Sequence, residues 1–511
     1  MLTKEEFKTI TAVILGAFMY ALDATIMNIA LPNIMAVFSE TPDRAQLVVS
    51  AYTLAAAIAM ASAAFLIDRY GIKKIWVISL IGFLIGSVLC GMAWNSNVLI
   101  FFRVLQGVFG GLLLPSGMAM LVIFIPPEKR GMAMGAIGIP TMLAPALGPV
   151  FGGYLVTYWN WRYCFYVNVP VVILAIAAAV SWLKETPAIM KRFDLKGFIF
   201  VSIGLSCILY ALSYAPTWHW DQRVIILLII GGIAMIIWVL LSLRTESPLL
   251  ELRLFKIGNF TLTVILLVVI IASMYVILFL VPIFLQNLRG LNALNAGLLL
   301  FSNAIGTVVA IPVVGVVYEK RGVRLPVILG LATMAFTGLW LQTLDTTTSD
   351  AAFQGVMFIR GVGCGFALIP ILSHALSAPP PDMSAQGSAV INVIQSVSIS
   401  IAIALFATML DNFQKTDLAL IAQTATLDSP LALRLISSIR AMLMQAGQTA
   451  EAAYQTAIYM LYQYCTLQST ITAFQKNFVL DAVLSLAGIV PALFLPHGPV
   501  TKTEGGAQII I

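Results

Sequence analysis

The chain has 511 residues, of which 60% are apolar and only 10% are charged, and its mean hydropathy is +0.98. Soluble domains contain about 25% charged residues, so this composition excludes an ordinary soluble enzyme or nucleic-acid binder and predicts a membrane protein. The formal net charge of +6 therefore needs an explanation other than a nucleic-acid partner.

Long uncharged apolar runs recur along the whole chain. A helix needs about 20 residues to cross the hydrocarbon core, and lipid offers the backbone no other hydrogen-bond partner, so each such run predicts a transmembrane helix. The sequence contains fourteen of them, at 9–32, 46–67, 74–94, 98–125, 132–158, 163–183, 197–215, 222–243, 258–286, 296–318, 324–344, 352–376, 386–410 and 477–495. We therefore predict an all-α membrane protein.

The basic residues indicate the orientation of these spans. With the N-terminus in the cytoplasm, 18 of the 28 Lys and Arg residues fall in inner segments and 8 in outer ones. This follows the positive-inside rule and predicts that both termini are cytoplasmic. The positive net charge is therefore explained by the basic residues that orient the spans in the membrane. The N-terminus leads into the first span without a cleavage site, so we expect that helix to be retained.

The sequence gives no sign of a metal or cofactor site. Its five cysteines form no CxxC pair, and four of them lie in apolar runs. The sequence has no GxxxxGK[ST] run, and the segments between spans are too short to house an ATPase. We therefore expect no cofactor and no nucleotide as the energy source.

The longest segment between spans, 411–476, carries helical signals. Ser429 and Pro430 form a cap and first-turn pair before an apolar stripe at helical spacing. The uncharged stretch 452–475 is rich in Gln, Thr, Ser and Tyr, which makes a lipid-facing span costly. We expect a helical hairpin that lies on the outer membrane face, packed against its own protein or docking a separate partner.

Two stretches repeat at nearly one offset. In the inner loops 64–74 and 315–324, Gly71 corresponds to Gly322 at an offset of 251. Within the spans, Arg103 corresponds to Arg360 at an offset of 257. Such repetition indicates duplicated six-helix bundles with two extra helices between them. We predict an N-terminal six-helix bundle (1–185), a two-helix insert with linkers (186–257) and a C-terminal six-helix bundle that includes the outer hairpin (258–511).

Several motifs also resemble those of a known family. They are LDATIMNIALP (22–32), DRYGIKK (68–74), RVLQG (103–107), APALGPVFGG (144–153) and WNWRYCFYVNVP (159–170). Along essentially its whole length the chain resembles the fourteen-helix drug:proton antiporter family (EmrB/QacA type) of the major facilitator superfamily. It departs from the family at Ala64, where the motif opens with glycine, and in helix thirteen, which lacks an arginine often found there.

The resemblance implies a major facilitator fold with 14 transmembrane helices arranged 6+2+6 in the bacterial cytoplasmic (inner) membrane. It further implies proton-coupled multidrug efflux of hydrophobic or amphiphilic compounds by alternating access, with a periplasmic adaptor of a tripartite system as a candidate partner. Export of an endogenous amphiphile, such as a lipid or fatty acid, and a non-transporting membrane sensor are the alternatives.

The carboxyl group of Asp23 is the main candidate for proton coupling. An ionised carboxylate inside a span costs several kcal/mol, so it should have a partner. At 1.5 Å per residue, Asp23 lies roughly 12 Å and Arg103 roughly 8 Å below the outer boundary, so the two can meet. We expect that protonation of Asp23 releases Arg103, with Gln106 as a weaker helper. A structural acid bonded to Thr25 or to a neighbouring helix, and a structural Arg103, are the alternatives.

Two further motifs have expected mechanical roles. The resemblance implies a conformational latch at Asp68, Arg69, Gly71 and Lys73, for which loop solvation is the alternative. It also identifies an antiporter motif at Gly148, Pro149, Gly152 and Gly153. Small residues permit close helix contact, and we expect that contact at the seam between the halves.

The substrate pocket is the least specified part of the prediction. Candidate residues are Tyr20, Asn28, Gln106 and Gln286. In the second half, Arg360 has no obvious membrane acid opposite it, and Asp481 is placed near the interface because the last span begins at 477. Helices nine to thirteen contain no acid, which favours neutral, weakly acidic or singly charged lipophilic substrates. A lone buried histidine, His374, is expected to be satisfied locally.

Overall fold

The computed structural model describes residues 3–188, 193–245, 248–380, 383–424 and 430–498, which form helices joined mostly by short connections. The helices are α1 (Lys4–Phe38), α2 (Pro42–Tyr70), α3 (Ile72–Gly91), α4 (Ser96–Phe124), α5 (Pro127–Tyr158), α6 (Tyr163–Tyr166), α7 (Asn168–Trp182), α8 (Leu195–Tyr214), α9 (Gln222–Arg244), α10 (Gly258–Ile283), α11 (Ala293–Arg321), α12 (Arg324–Leu341), α13 (Asp350–Ser377), α14 (Ser384–Thr424), α15 (Pro430–Gln445) and α16 (Ala450–Ala492).

The predicted all-α membrane architecture is confirmed. Within the described residues, thirteen helical stretches are long and apolar enough to cross a membrane, and α6 with α7 forms one of them. The 32-residue α5 is a further long helix at the position of the fifth predicted span. Most helices extend past the predicted spans: α1, for example, begins at Lys4 rather than at residue 9.

Polar caps fix where many of the helices begin. Thr3 caps α1 and Asn95 caps α4, each by accepting a backbone N–H of the first turn on its side-chain oxygen. Asp221, Asn292 and Ser349 do the same for α9, α11 and α13. Because lipid cannot satisfy the free N–H groups at a helix start, these side chains stabilise the starts where spans leave the apolar region.

Two sets of helices form the two halves, and the insert touches both. The N-terminal half contains α1–α7 and the C-terminal half contains α10–α16, whereas α8 and α9 pack against each other. Helix α8 also packs against α2 and α14. The turn after α8 is tied to the C-terminal half, since Trp220 Nε1 donates to Thr408 Oγ1 at 2.7 Å.

Equivalent helices in the two halves approach through glycines. A Cβ at Gly111 of α4 would overlap the backbone of Ala56 in α2, and a Cβ at Gly361 of α13 would overlap the carbonyl of Asn303 in α11. Helices in lipid gain little from the hydrophobic effect and associate through close packing of this kind. The equivalent pair of helices packs through glycine in both halves, which agrees with the duplication in the sequence.

The buried apolar side chains join the halves at one end of the bundle. We call the end at which α1 begins the terminal end. There a single cluster includes Ile67 and Leu121 from the N-terminal half and Val323 and Ala385 from the C-terminal half. Ser388 Oγ of α14 also donates across the halves to the carbonyl of Pro115, at 3.2 Å.

At the opposite end the two halves have separate buried clusters. The N-terminal one contains Ile34, Val48, Leu99 and Phe165, and the C-terminal one contains Leu285, Leu299, Phe353 and Phe474. Among the described side chains, one continuous apolar core therefore joins the halves at the terminal end, and no such cluster joins them at the other end.

The segment 411–476 differs from the flat hairpin that the sequence predicts. Helices α14 and α16 contain 41 and 43 residues and run into it without a break. At 1.5 Å per residue α16 is about 64 Å long, roughly twice the thickness of the hydrocarbon core, so the segment extends the last two spans. The predicted intervening helix exists as α15, which packs against α16. Ser429 lies outside the described residues.

Candidate functional site: a buried ion pair in each half

Asp23 and Arg103 form an ion pair that is fully removed from solvent. The distance from Arg103 Nη1 to Asp23 Oδ2 is 2.7 Å, and both side chains are 0% exposed. Two charges without water are costly unless their remaining hydrogen-bonding groups are also satisfied. The surroundings of the pair therefore decide what it can do.

Two amides complete the hydrogen bonding of the carboxylate. Asp23 Oδ1 accepts from Asn168 Nδ2 at 2.7 Å and from Gln106 Nε2 at 3.1 Å. The Asn168 amide also donates to Ser87 Oγ at 2.9 Å, and this hydroxyl donates to the carbonyl of Phe165. Asp23 thus accepts three hydrogen bonds, which stabilise its ionised form.

Arg103 is held by further contacts on α2 and α4. Its Nε donates to the carbonyl of Val48 at 3.1 Å, and its Nη1 also donates to Gln106 Oε1 at 2.8 Å. The guanidinium lies over the ring of Tyr52, 4.1 Å from the centroid. Arg103 Nη2 has no partner among the described residues. The cluster therefore joins five candidate spans, namely α1, α2, α3, α4 and the span formed by α6 with α7, around one pair of charges.

The structure brings together Asp23 and Arg103, which the sequence places at similar depths in the membrane. The alternative in which Thr25 binds the acid does not describe this structure, because Thr25 Oγ1 donates to the carbonyls of Leu22 and Ala144 at 3.0 and 3.2 Å. Asn168 was not predicted as a site residue. Its signal was present in the sequence, as an amide inside an apolar run of the motif at 159–170.

A second buried ion pair lies in the C-terminal half. Arg360 Nη2 donates to Asp481 Oδ2 at 2.8 Å, and the two side chains are 1% and 0% exposed. Arg360 Nη2 also donates to Ser273, to its carbonyl at 3.1 Å and its hydroxyl at 3.0 Å. Arg360 Nη1 donates to the carbonyl of Met334 and to Thr337 Oγ1, at 3.1 and 3.4 Å.

Two expectations about this half were wrong. Arg360 does have a membrane acid opposite it, and Asp481 is deeply buried instead of interfacial. The error came from beginning the last span at 477. Helix α16 begins at Ala450, and its turn before 477 is already packed inside the protein, with Phe474 1% exposed.

The predicted latch lies at the terminal end, where an acid from the chain after α7 caps α3. Glu185 accepts the backbone N–H groups of Lys73 and Lys74 at 3.0 and 3.1 Å. Gly71 has a φ of 89°, and a Cβ there would overlap the Glu185 carboxylate. A carboxylate at a helix N-terminus is stabilised by the free N–H groups and the helix dipole. Glu185 was not predicted.

The other latch residues surround this cap. Lys73 Nζ donates to the carbonyl of Val180 at 2.7 Å, which ties α3 to the end of α7. Asp68 and Arg69 are half-buried at the end of α2, on the opposite side of Gly71 in the sequence. The contacts of Glu185 and Lys73 hold α3 to the chain that leaves the N-terminal half.

The antiporter motif packs closely, but on a different partner from the one expected. A Cβ at Gly148 would overlap Thr25 Oγ1, and a Cβ at Gly152 would lie 3.0 Å from Ile26 Cγ1. Both glycines thus face α1 within the N-terminal half, one turn from Asp23. Helix α5 itself does lie at the seam, since it also packs against α11 and α13 of the C-terminal half, but these two glycines do not make that contact. Gly153 has no atom within 4 Å of a Cβ, and the Pro149 side chain lies outside the described residues.

The four candidate pocket residues lie in different surroundings. Gln106 belongs to the ion-pair cluster, and Gln286 is half-buried in a π-helical turn after α10. Tyr20 is half-buried, with its ring centroid 6.0 Å from that of Tyr52, and it lies within electrostatic range of Tyr275 of the other half. The side chain of Asn28 lies outside the described residues.

His374 does not behave as expected. It is buried, 5% exposed, and neither ring nitrogen has a hydrogen-bond partner among the described residues. The local satisfaction expected for a lone buried histidine is therefore not found in the part of the chain that the structure describes.

Comparison with known proteins places this geometry in context. A family model described as Major Facilitator Superfamily matches residues 13–403. The chain is 29% identical over 495 residues to an uncharacterized MFS-type transporter, YhcA, of Bacillus subtilis, covering 96% of this chain and 93% of the relative. It is 28% identical to the multidrug export protein EmrB of Escherichia coli, covering 94% and 93%.

Another relative and two solved structures agree with this family. A multidrug resistance protein B homolog of Mycobacterium tuberculosis is 31% identical and covers 79% of this chain and 76% of the relative. The proton:xylose symporter XylE superposes with a TM-score of 0.59 at 13% identity, covering 97% of each chain. The human organic anion transporter MFSD10 superposes with a TM-score of 0.59 at 13% identity, covering 94% and 100%. These two likenesses show the fold.

Proposed function

The chain belongs to the Major Facilitator Superfamily, and on that premise we propose that it is a proton-coupled multidrug antiporter that exports hydrophobic or amphiphilic compounds by alternating access. The observation that carries the proposal is the ion pair of Asp23 and Arg103, sealed from solvent at the contact of five helices. Relatives named as multidrug export or resistance proteins support a drug-like cargo.

Proton binding at Asp23 changes the packing of these helices. A neutral carboxyl group no longer attracts Arg103, and it must donate a hydrogen bond where it previously only accepted. Asn168 Oδ1 is buried without a partner among the described residues, so a turned Asn168 amide would accept the hydrogen bond that the protonated Asp23 donates. The contact of α7 with α1 is therefore rearranged by the same event that frees the arginine on α4.

Proton entry supplies enough energy for export. One elementary charge that crosses 100 mV releases about 2.3 kcal/mol, which supports a substrate gradient of roughly fiftyfold. No nucleotide is needed in this scheme. The proton binds Asp23 from one side and is released to the other after the two halves have moved.

The distribution of the buried apolar clusters supports our proposal for the conformation. The halves share one buried cluster at the terminal end and have separate clusters at the opposite end. If both termini are cytoplasmic, as the basic residues predict, the interface is closed toward the cytoplasm and divided toward the outside. We therefore assign this structure to the outward-facing state, in a bacterial cytoplasmic membrane.

The cap on α3 stabilises this state in our proposal. Glu185 and Lys73 tie α3 to the chain after α7 at the closed end. Opening of the terminal end then requires Asp68, Arg69 and the Gly71 turn to move relative to this cap. The latch controls the rate of the conformational change and does not bind substrate.

Charge and exposure support the cargo and the partner that we propose. The buried acids that we have described are paired with arginines, which leaves neutral, weakly acidic or singly charged lipophilic compounds as the favoured cargo, with Tyr20 beside the cluster. We propose that a periplasmic adaptor binds the projecting segment, residues 411–476, where Leu433 and Met442 of α15 are 51% and 71% exposed.

Transport by purified protein in liposomes tests the function. Under an imposed pH gradient, the wild type should accumulate tetraphenylphosphonium or flufenamic acid, and Asp23→Asn should abolish gradient-driven accumulation while binding persists. Asp417→Asn is the matched control, because Asp417 is also a buried paired carboxylate, 2.5 Å from Lys476 Nζ, but lies in the projecting segment. Gradient-driven transport by Asp23→Asn at the wild-type rate would refute the proposal.

Growth inhibition separates drug efflux from export of an endogenous amphiphile. A host that lacks the gene should become sensitive to several lipophilic compounds, and expression of the wild type but not of Asp23→Asn should restore resistance. Unchanged sensitivity with altered membrane lipid composition would favour the endogenous cargo.

A further inference from the structure

Arg360 is held largely by groups that do not change charge. Besides Asp481, it donates to the carbonyl of Ser273 and that of Met334, and to the hydroxyls of Ser273 and Thr337. These acceptors come from α10 and α12. The position of the guanidinium therefore does not depend on the charge of Asp481 alone.

The carboxylate of Asp481 is much less satisfied than that of Asp23. Asp481 Oδ2 accepts from Arg360, but Oδ1 is buried and has no hydrogen-bond partner among the described residues. Both oxygens of Asp23, in contrast, accept hydrogen bonds. An ionised buried carboxylate needs donors on both oxygens, and a bare buried oxygen is costly.

Few titratable groups surround Asp481 in the part of the chain that the structure describes. Arg360 and the Cys364 thiol face it from α13. Helices α10 and α12 contribute the hydroxyls of Ser273 and Thr337 around the arginine. Among the charged residues of α14, Asp417 is occupied by Lys476 of α16, and Asp411 pairs with Lys415 at the far end of that helix.

We propose that Asp481 is a second proton-binding group, which takes a proton at Oδ1 while Arg360 stays in place. The inference rests on the proposed proton-coupled function and adds a carrier in the half of the molecule where none was expected. The step involves only the transfer of one proton to the carboxylate and its later release. Export then uses two carboxyl groups, one in each half, on α1 and on α16.

The two sites have different mechanical consequences. Protonation of Asp23 removes the charge that holds Arg103 between α1 and α4. Protonation of Asp481 leaves Arg360 bound to Ser273 and Met334, so α10, α12 and α13 stay together and the contact with α16 alone is weakened. The movable element of the C-terminal half is therefore α16, which carries the projecting segment.

Infrared difference spectroscopy on the full-length protein in liposomes tests the inference without a substrate. Between neutral and acidic pH, the wild type should gain a carbonyl band of a protonated carboxylic acid that is absent in Asp481→Asn and retained in Asp23→Asn. Asp481→Glu, which keeps the carboxyl group should Asp481→Asn fail to fold, should shift the band. Ser469→Ala on the same helix is the control and should keep the band, because the Ser469 hydroxyl donates to the carbonyl of Thr466 and not to the ion pair. Identical bands in the wild type and in either Asp481 variant would overturn the inference.

Transport separates this inference from the proposed function. With flufenamic acid as the probe, Asp481→Asn should lower the number of protons moved per probe molecule from two to one, whereas Asp23→Asn should stop gradient-driven transport. If Asp23→Asn stops transport but Asp481→Asn keeps the wild-type ratio, the second site is refuted and the proposed function stands. If the Asp481 band is present but neither variant alters gradient-driven transport, the proton site stands and the proposed function fails.

Discussion

The two halves of the molecule bury the same kind of ion pair but supply the acid from different helices. Each arginine stands on the fourth long helix of its half, whereas Asp23 lies on the first and Asp481 on the last. Ser273 lies 250 residues after Asp23, and Thr337 lies 250 residues after Ser87. Duplication has thus kept the arginine and its polar neighbours, while the carboxyl group is carried by either of two helices that flank it.

This difference changes what each pair depends on. Asp23 keeps two amide hydrogen bonds without Arg103, whereas Asp481 accepts from Arg360 and has no amide donor among the described residues. Arg360, in turn, has four neutral contacts, and Arg103 has one unpartnered nitrogen. In the N-terminal half the acid is the better supported partner, and in the C-terminal half it is the arginine.

Replacement of either buried arginine should lower the stability of the folded protein strongly. Removing one partner of a buried pair costs about 3–5 kcal/mol because it leaves a buried charge alone. Arg360→Met should destabilise the folded protein more than Arg103→Met, since Asp23 retains its amides. Thermal unfolding of the purified variants measures this order. Adding Asp481→Asn to Arg360→Met should recover part of the loss, and an equal loss in both single variants would contradict the asymmetry.

The contact between α1 and α5 gives a smaller effect that is specific to the N-terminal half. Gly148→Ala forces a methyl group against Thr25 and the backbone of Ile26, so it should cost about 1–3 kcal/mol and slow transport by displacing α1 near Asp23. Gly153→Ala is the matched control, because nothing lies within 4 Å of its added methyl group. Equal unfolding temperatures and transport rates for the two variants would show that α1 is not held by this contact.

The inner loops of the two halves, at the terminal end, also share a glycine turn and differ in the atom packed against it. Gly71 and Gly322 both have positive φ, at 89° and 75°, and each is approached by an oxygen from the chain after the last helix of its half. That oxygen belongs to the Glu185 side chain in the N-terminal half and to the backbone carbonyl of Gly498 in the C-terminal half. Only the first of these can be removed by mutation.

Removing the Glu185 carboxylate should loosen one loop and leave the other unchanged. Glu185→Ala should cost about 0.5–2 kcal/mol, the usual effect of losing a helix cap. Hydrogen exchange should accelerate at the amides of Lys73 and Lys74 and stay constant at Arg324, where α12 begins. Acceleration in both loops, or in neither, would argue against a local cap.

The sequence was sufficient to predict the ion pair in the N-terminal half, which depends on the membrane depth of two residues. It was not sufficient for the pair in the C-terminal half, which depends on the length of α16. Counting residues from the ends of the spans was enough to pair Asp23 with Arg103, because both lie in uninterrupted apolar runs. It failed for Asp481, since the polar residues before 477 looked unsuitable for lipid and α16 in fact buries part of that face. Glu185 was missed because it lies in a linker, where the sequence does not show which helix start it will meet.

Of the two buried arginines, Arg103 lies against an aromatic ring and Arg360 does not in the part of the chain that the structure describes. Tyr52 covers Arg103, whereas Asn303 stands 251 residues later and no ring is stacked on Arg360 among the described residues. The Tyr52 hydroxyl has no partner there, so Tyr52→Phe should change the stability by less than about 0.5 kcal/mol. Tyr52→Leu removes the ring as well and should cost about 1 kcal/mol. Because Nη2 of Arg103 lacks a hydrogen bond, the ring supplies support that neutral oxygens give to Arg360. A large loss in Tyr52→Phe, measured by thermal unfolding, would mean instead that the hydroxyl carries that support.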